Sequence, residues 1–206
     1  MKFTELRQQF NKKPLFDVRD VLNLEKDFHR QRLYDWQKKD LITKITHNFY
    51  VFNDKELSEE DLYFIANKIY SPSYISLEGV LYHYNLIPET VYQVTSVTTR
   101  KTRSLSSEIG DFSYRHVKSN LFFGYKNIKK DNFTYQLAEP EKAILDLLYL
   151  RSDIKNKKQL KNLRIKKDEF LEKIDQDRIR EYLKRFSSNT LKKKTEDLLE
   201  LINKND

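Results

Sequence analysis

No cysteine occurs anywhere in the 206 residues. That excludes a disulfide scaffold, a thiolate nucleophile and a cysteine-ligated zinc site. Glycine is nearly absent, with three residues, and proline has only four. No glycine-rich loop could cradle a phosphate, and no serine sits in a strand–turn–helix nucleophile elbow. The four histidines, His29, His47, His83 and His116, do not fall at metal-ligand spacings. No uninterrupted apolar run approaches membrane-spanning length, and no early apolar segment resembles a signal peptide. The expectation is a soluble cytoplasmic protein with no catalytic residues, no cofactor and no metal.

What remains is a charged chain with an ample apolar fraction: 34% charged, 38% hydrophobic and 13% aromatic residues. The net charge of +8 is unevenly placed. Residues 1–56 hold 12 Lys and Arg against 9 Asp and Glu, residues 57–150 hold 10 against 11, and residues 151–206 hold 17 against 11. The basic excess therefore lies at the two ends, where it suits a polyanion or an acidic protein partner, or serves solubility alone.

The segment from Phe10 to Phe52 carries the most information. A short helix, Thr4 to Phe10, precedes it, and Pro14 leads into a first amphipathic helix. A second helix is expected from Lys26 to Lys39. At 100° per residue, Leu33 and Trp36 fall on its core side together with Asp40, with His29 beside them. Arg30, Gln31, Tyr34 and Lys38 lie opposite, together with Asp27. Leu41, Ile42 and Ile45, then Phe49 to Phe52, read as two short strands around a Thr46-His47-Asn48 turn, since Asn tolerates left-handed geometry. Helix, helix and hairpin in this order predict a winged helix-turn-helix, with Lys44 and His47 at or near the wing tip. Arg and Gln can make paired hydrogen bonds to purine edges, so the polar face suits direct readout in a DNA major groove.

Beyond a polar connector at Asn53–Leu57, Ser58 has the place of a helix N-cap followed by Glu59, Glu60 and Asp61. Leu62, Ile65, Ala66 and Ile69 give that helix its apolar stripe. Ser76 is expected to cap another helix bearing Leu77, Val80, Leu81 and Tyr84, in which Gly79 should be compensated by close packing. From Val91 to Ala138 the pattern becomes that of strands, with Phe112, Tyr114 and His116 alternating against Ser113, Arg115 and Val117, then Leu121 to Tyr125 and Phe133 to Leu137. Pro140 opens an apolar helix through Leu150. In the lysine-rich remainder, Phe170, Leu171, Ile174, Ile179, Leu183 and Phe186, then Leu191, Leu198, Leu199 and Ile202, recur at helical spacing. The predicted class is α+β: a winged helix-turn-helix over residues 1–56, then a second domain over 57–206. The latter divides into a mostly antiparallel sheet-containing part (57–150) and a helical part (151–206).

The order of segments is itself distinctive. After the winged unit come SPSYISLEGVLYHYNLIPE, VTSVTTRK, FSYRH with LFFGY, and AEPEKAILDLLYL. This succession, over about Leu15 to Leu150, resembles the AbiE antitoxin family, the antitoxin halves of bacterial type IV toxin–antitoxin pairs linked to abortive phage infection. Its most specific pieces are Tyr74-Ile75-Ser76-Leu77-Glu78 and Ala138 through Asp146. The resemblance implies an N-terminal domain that represses its own operon on double-stranded DNA. It also implies a C-terminal domain that counteracts a nucleotidyltransferase-like toxin without requiring a stable complex. Arg30, Gln31, Tyr34 and Lys38 then match the DNA-facing side of the recognition helix, and Lys44 and His47 the wing. Many members carry an Arg-Gly or similar pair at the wing tip, where this chain has His47-Asn48. A monomer or a DNA-bound dimer is expected. The alternative is a stand-alone winged-helix regulator whose C-terminal domain senses a ligand.

Two further groups invite chemistry. Arg100, Lys101 and Arg103 lie beside a predicted strand and form either an anion- or partner-binding patch or a solvated hairpin end; Arg115 on a neighbouring strand could extend the patch across one sheet face. Glu139, Glu141 and Asp146 are expected to be structural. Glu141 and Asp146 point about 140° apart on a helix, and Lys142 stands one turn before Asp146 to pair with it.

Overall fold

The computed structural model describes residues 1–89 and 92–204. Its first part runs α1 (Phe3–Phe10), β1 (Phe16–Asp17), α2 (Val18–Leu24), α3 (Gln31–Lys38), β2 (Ile42–Thr46) and β3 (Phe49–Phe52). The strands form a small antiparallel sheet in the order β1-β3-β2. Aromatic rings fill the space between this sheet and the helices. Phe16 lies 4.9 Å from Phe52 and stacks 5.6 Å from Tyr50, while Phe3 meets Trp36 edge-on at 5.7 Å. Leu33 and Trp36 are buried as the periodicity predicts.

The helix expected from Lys26 begins only at Gln31. Phe28 and Trp36 both enter the small core, with ring centroids 5.8 Å apart. On one continuous helix, eight residues would separate them by about 12 Å along the axis. The chain therefore bends through 25–30, which leaves Arg30 at the N-cap. Asp40 is exposed just past the helix in a left-handed conformation and accepts a hydrogen bond from Asn53 Nδ2 at 2.6 Å.

The second part is built on a six-stranded sheet. Ser58 caps α4 (Glu59–Ile69) through a reciprocal box with Asp61. Then follow β4 (Ser73–Ile75), α5 (Glu78–His83), β5 (Gln93–Thr98), β6 (Arg103–Ser107) and β7 (Gly110–His116). A 3-10 turn (Ser119–Leu121) leads to β8 (Tyr125–Lys130), β9 (Phe133–Ala138) and α6 (Pro140–Leu150). The strand order is β6-β7-β5-β4-β9-β8. The β4–β9 and β5–β7 pairs are parallel and the other three are antiparallel, so the sheet is mixed with antiparallel pairs in the majority. Val91, expected in the first of these strands, lies outside the described residues. The strand expected over Leu121 to Tyr125 starts at Tyr125 instead, because Leu121 turns into the core.

Helices cover both faces. On one, α4 sends Asn67 to bridge two strands, donating to Ser73 O at 3.1 Å and accepting from Gln136 N at 2.6 Å. These bonds reinforce the parallel junction of β4 with β9, where Ile75 and Leu137 are the one aligned pair. On the other face lies α6. Around it pack α7 (Lys157–Lys161), α8 (Lys167–Lys173), α9 (Gln176–Leu183) and α10 (Asn189–Asn203). Phe170, Ile174, Ile179, Phe186, Leu191, Leu198, Leu199 and Ile202 are buried as their spacing predicts, whereas Leu171 is 49% exposed. Leu15, Ile45 and Val51 of the first part belong to the large core of the second. Among the described residues no helix is long and apolar enough to cross a membrane.

Candidate nucleic-acid interface

Along α3, Tyr34 and Lys38 are one turn apart, and Arg30 at the N-cap precedes Tyr34 by one turn. This is the stripe left outward once Leu33 and Trp36 are committed to the core. Arg30, Gln31, Tyr34 and Lys38 are all exposed, and Lys38 Nζ sits 4.6 Å over the Tyr34 ring. The β2–β3 turn stands beside the start of this helix. Asn48 takes the predicted left-handed conformation (φ 69°), and its carboxamide oxygen accepts from Arg30 Nη1 at 3.4 Å. Lys44 is paired across the hairpin with Tyr50. Tyr50 packs on the helix-facing side of the sheet, against Phe16, so Lys44 emerges on that side too. Burial raises the Tyr50 hydroxyl's pKa, and the nearby Arg30 charge works against it. Lys44 and His47 are exposed. The structure thus brings Arg30, Lys44 and the hairpin turn together, with Gln31, Tyr34 and Lys38 continuing along one helix face.

Arg100, Lys101 and Arg103 also converge, around Tyr70. The Arg100 and Arg103 guanidinium carbons stand 4.2 and 5.6 Å from the Tyr70 ring centroid. The Tyr70 hydroxyl donates to Lys101 O at 2.9 Å, and Arg100 Nη1 donates to Ser71 O at 3.2 Å. Arg115 does not join them. Arg103 pairs in register with Tyr114, which is buried against α4 and donates to Ala66 O. Successive residues on a strand face opposite ways, so Arg115 emerges on the other face and donates to Leu150 O at the end of α6. The expected extension of the patch across one face is therefore corrected. The hairpin and the patch are neighbours: Thr46 shares a narrow crevice with Tyr70 and Arg103, and Thr43 Oγ1 donates to Glu108 Oε2 at 3.4 Å.

The carboxylates of α6 have structural partners. Glu141 is buried and accepts from Asp175 N at 3.0 Å. Glu139 takes the Tyr182 hydroxyl and lies 3.2 Å from Lys126 Nζ. Asp146 pairs with Lys142, as the one-turn spacing predicts, and both side chains are wholly buried. Sequence reading missed their other partners. Tyr74 and Ser76 each donate to Asp146 Oδ2 at 2.9 Å, and Lys142 Nζ donates to Tyr74 Oη at 2.7 Å. Ser76 is thus committed to α6 rather than capping α5, whose N-cap is Leu77. The rings of Phe123, Tyr74 and Phe186 surround the Lys142 ammonium at 5.0–5.4 Å. Burial pushes the Asp146 carboxyl up and the Lys142 ammonium down, and their mutual attraction opposes both shifts. No three His, Asp or Glu side chains among the described residues are grouped so as to hold a metal ion.

No protein-family model matches this chain, and no curated protein matches it.

Proposed function

We propose that α3 and the β2–β3 hairpin act as a winged helix-turn-helix that binds double-stranded DNA and represses the chain's own operon. We propose further that the protein is the antitoxin of a type IV pair, opposing a nucleotidyltransferase-like toxin. The observation that carries the DNA reading is the joint exposure of Arg30, Gln31, Tyr34 and Lys38 on one helix, with Arg30 tied to the wing turn at Asn48. Helix α3 is short enough to enter a major groove end-on, and the wing would place Lys44 and His47 on the flanking backbone. The antitoxin part rests on the succession of segments from the winged unit to AEPEKAILDLLYL.

Binding to the chain's own promoter, followed against salt, tests the DNA reading. Neutralising about four phosphates gives a slope of log affinity on log salt of about −3.6. Arg30→Ala and Gln31→Ala should change sequence preference, whereas Lys44→Ala should weaken all sites alike. A chain that ignores duplex DNA at low salt sinks the DNA reading. Growth of cells expressing the adjacent gene, with and without the full chain, tests the antitoxin reading. Rescue supports it, and a harmless neighbour replaces it with the stand-alone regulator.

A further inference from the structure

A cavity of about 390 Å³ lies between the end of α6, the loop after it and the first turns of α10. Its apolar floor is Leu148, Ile154, Leu160 and Leu191, and its charged rim is Lys155, Lys193 and Lys194. Lys194 is only 9% exposed. Its ammonium has three N–H groups; two donate to Leu148 O and Arg151 O, both at 2.8 Å. The third has no acceptor among the described residues, and no carboxylate lies within ion-pair distance of Lys155, Lys193 or Lys194 there. The one acid of the lining, Asp197, is already 3.5 Å from Lys157 Nζ. The last carbonyls of α6 and the nearby Asp153 charge compensate Lys194 in part, and it shares a wall with two more lysines that have no ion-pair partner among the described residues.

We infer that this cavity binds a phosphomonoester of mononucleotide size. Three cationic side chains over one compensated acid favour a doubly charged phosphate over a single carboxylate. Ser152, Asn156 and Thr190 add neutral polar groups to the lining. The volume falls within the usual range for small-molecule sites, about 300–1,000 Å³, and the apolar floor calls for a body beyond the phosphate itself. The site lies on α6 and α10 rather than on α3 and the wing. The inference therefore holds for an antitoxin and for a stand-alone regulator alike, and loss of DNA binding would leave it intact.

Titration calorimetry on the full chain, in buffer free of phosphate, tests it with the four ribonucleoside 5′-monophosphates, their nucleosides and inorganic phosphate. At least one monophosphate should bind saturably and more tightly than both its nucleoside and inorganic phosphate. Lys155→Gln and Lys193→Gln, both at exposed positions, should each weaken that binding about tenfold, the worth of one charge-assisted hydrogen bond. Absence of saturable binding, a nucleoside or inorganic phosphate that binds equally well, or affinities unchanged in both variants would overturn the proposal.

Discussion

Two buried residues one helical turn apart, Lys142 and Asp146, show how much a single pair can decide. Neither reaches water, so each depends on the other and on the hydroxyls of Tyr74 and Ser76. Asp146→Asn or Lys142→Met alone should cost roughly 3–5 kcal/mol, because each leaves an uncompensated buried group. The double variant Lys142→Met/Asp146→Leu should cost less than the sum, read from urea unfolding as a double-mutant cycle. Gly124 belongs to the same neighbourhood. Its φ of +70° disfavours a side chain, and an added Cβ would stand 3.0 Å from Lys142 Cγ and 3.1 Å from Tyr182 Cε2. Gly124→Ala should destabilise by about 1–3 kcal/mol. Gly79 contrasts with it. A Cβ there meets nothing within 4 Å, so close packing does not account for this glycine, and Gly79→Ala should stabilise by up to about 1 kcal/mol. At this scale the sequence announced the Lys142–Asp146 spacing but not Tyr74 and Ser76, which lie 72 and 70 positions before Asp146.

Elements were legible where one period ran unbroken. Ser58 with Asp61 marked the start of α4, Pro140 the start of α6, and Asn48 the turn of the hairpin. Helix α3 was read too long because His29 falls in phase with Leu33 and Trp36, while the small core draws the Phe28 ring back beside Trp36. Exposed ion pairs in the loop after α6 and within the C-terminal helices have a strength that depends on pH. The Arg151 hydrogen bonds hold the Asp153 carboxyl at about 2, and Lys157 with Lys204 holds Glu200 at about 2. Both values lie below the unfolded range of about 4, so the folded state binds fewer protons at these groups. Their contribution is present above pH 4 and is lost as pH falls towards 2. Melting temperatures measured from pH 6 down to 2 should fall through that window, less steeply in Asp153→Asn/Glu200→Gln, and added salt should shrink the difference because both groups face solvent.

Across the whole molecule, the first 56 residues do not stand apart. Leu15, Ile45 and Val51 are buried in the large core, and Thr43 reaches Glu108 on the β6–β7 turn. Trp36 is the one tryptophan of the chain and lies in the small core. Its fluorescence therefore reports on the first part, while far-UV circular dichroism averages over all helices. Coupling through Leu15, Ile45 and Val51 should make the two unfolding transitions coincide. Ile45→Ala, which removes about 2–5 kcal/mol of buried contact, should lower both midpoints and separate them; transitions already separate in the unaltered chain would show that the shared contacts are weak.

What the sequence determined by itself was local: the α+β class, the placement of α4, α6 and the β2–β3 hairpin, and the outward face of α3. Periodicity and turn chemistry act between residues a few positions apart, and those distances are preserved on folding. Only the tertiary structure decided the parallel pairing of β4 with β9 and β5 with β7, the side of the sheet on which Arg115 emerges, and the gathering of Lys155, Lys193 and Lys194 around one cavity. Each of these depends on which distant strands and helices become neighbours, and the spacing of residues within one element carries no record of that.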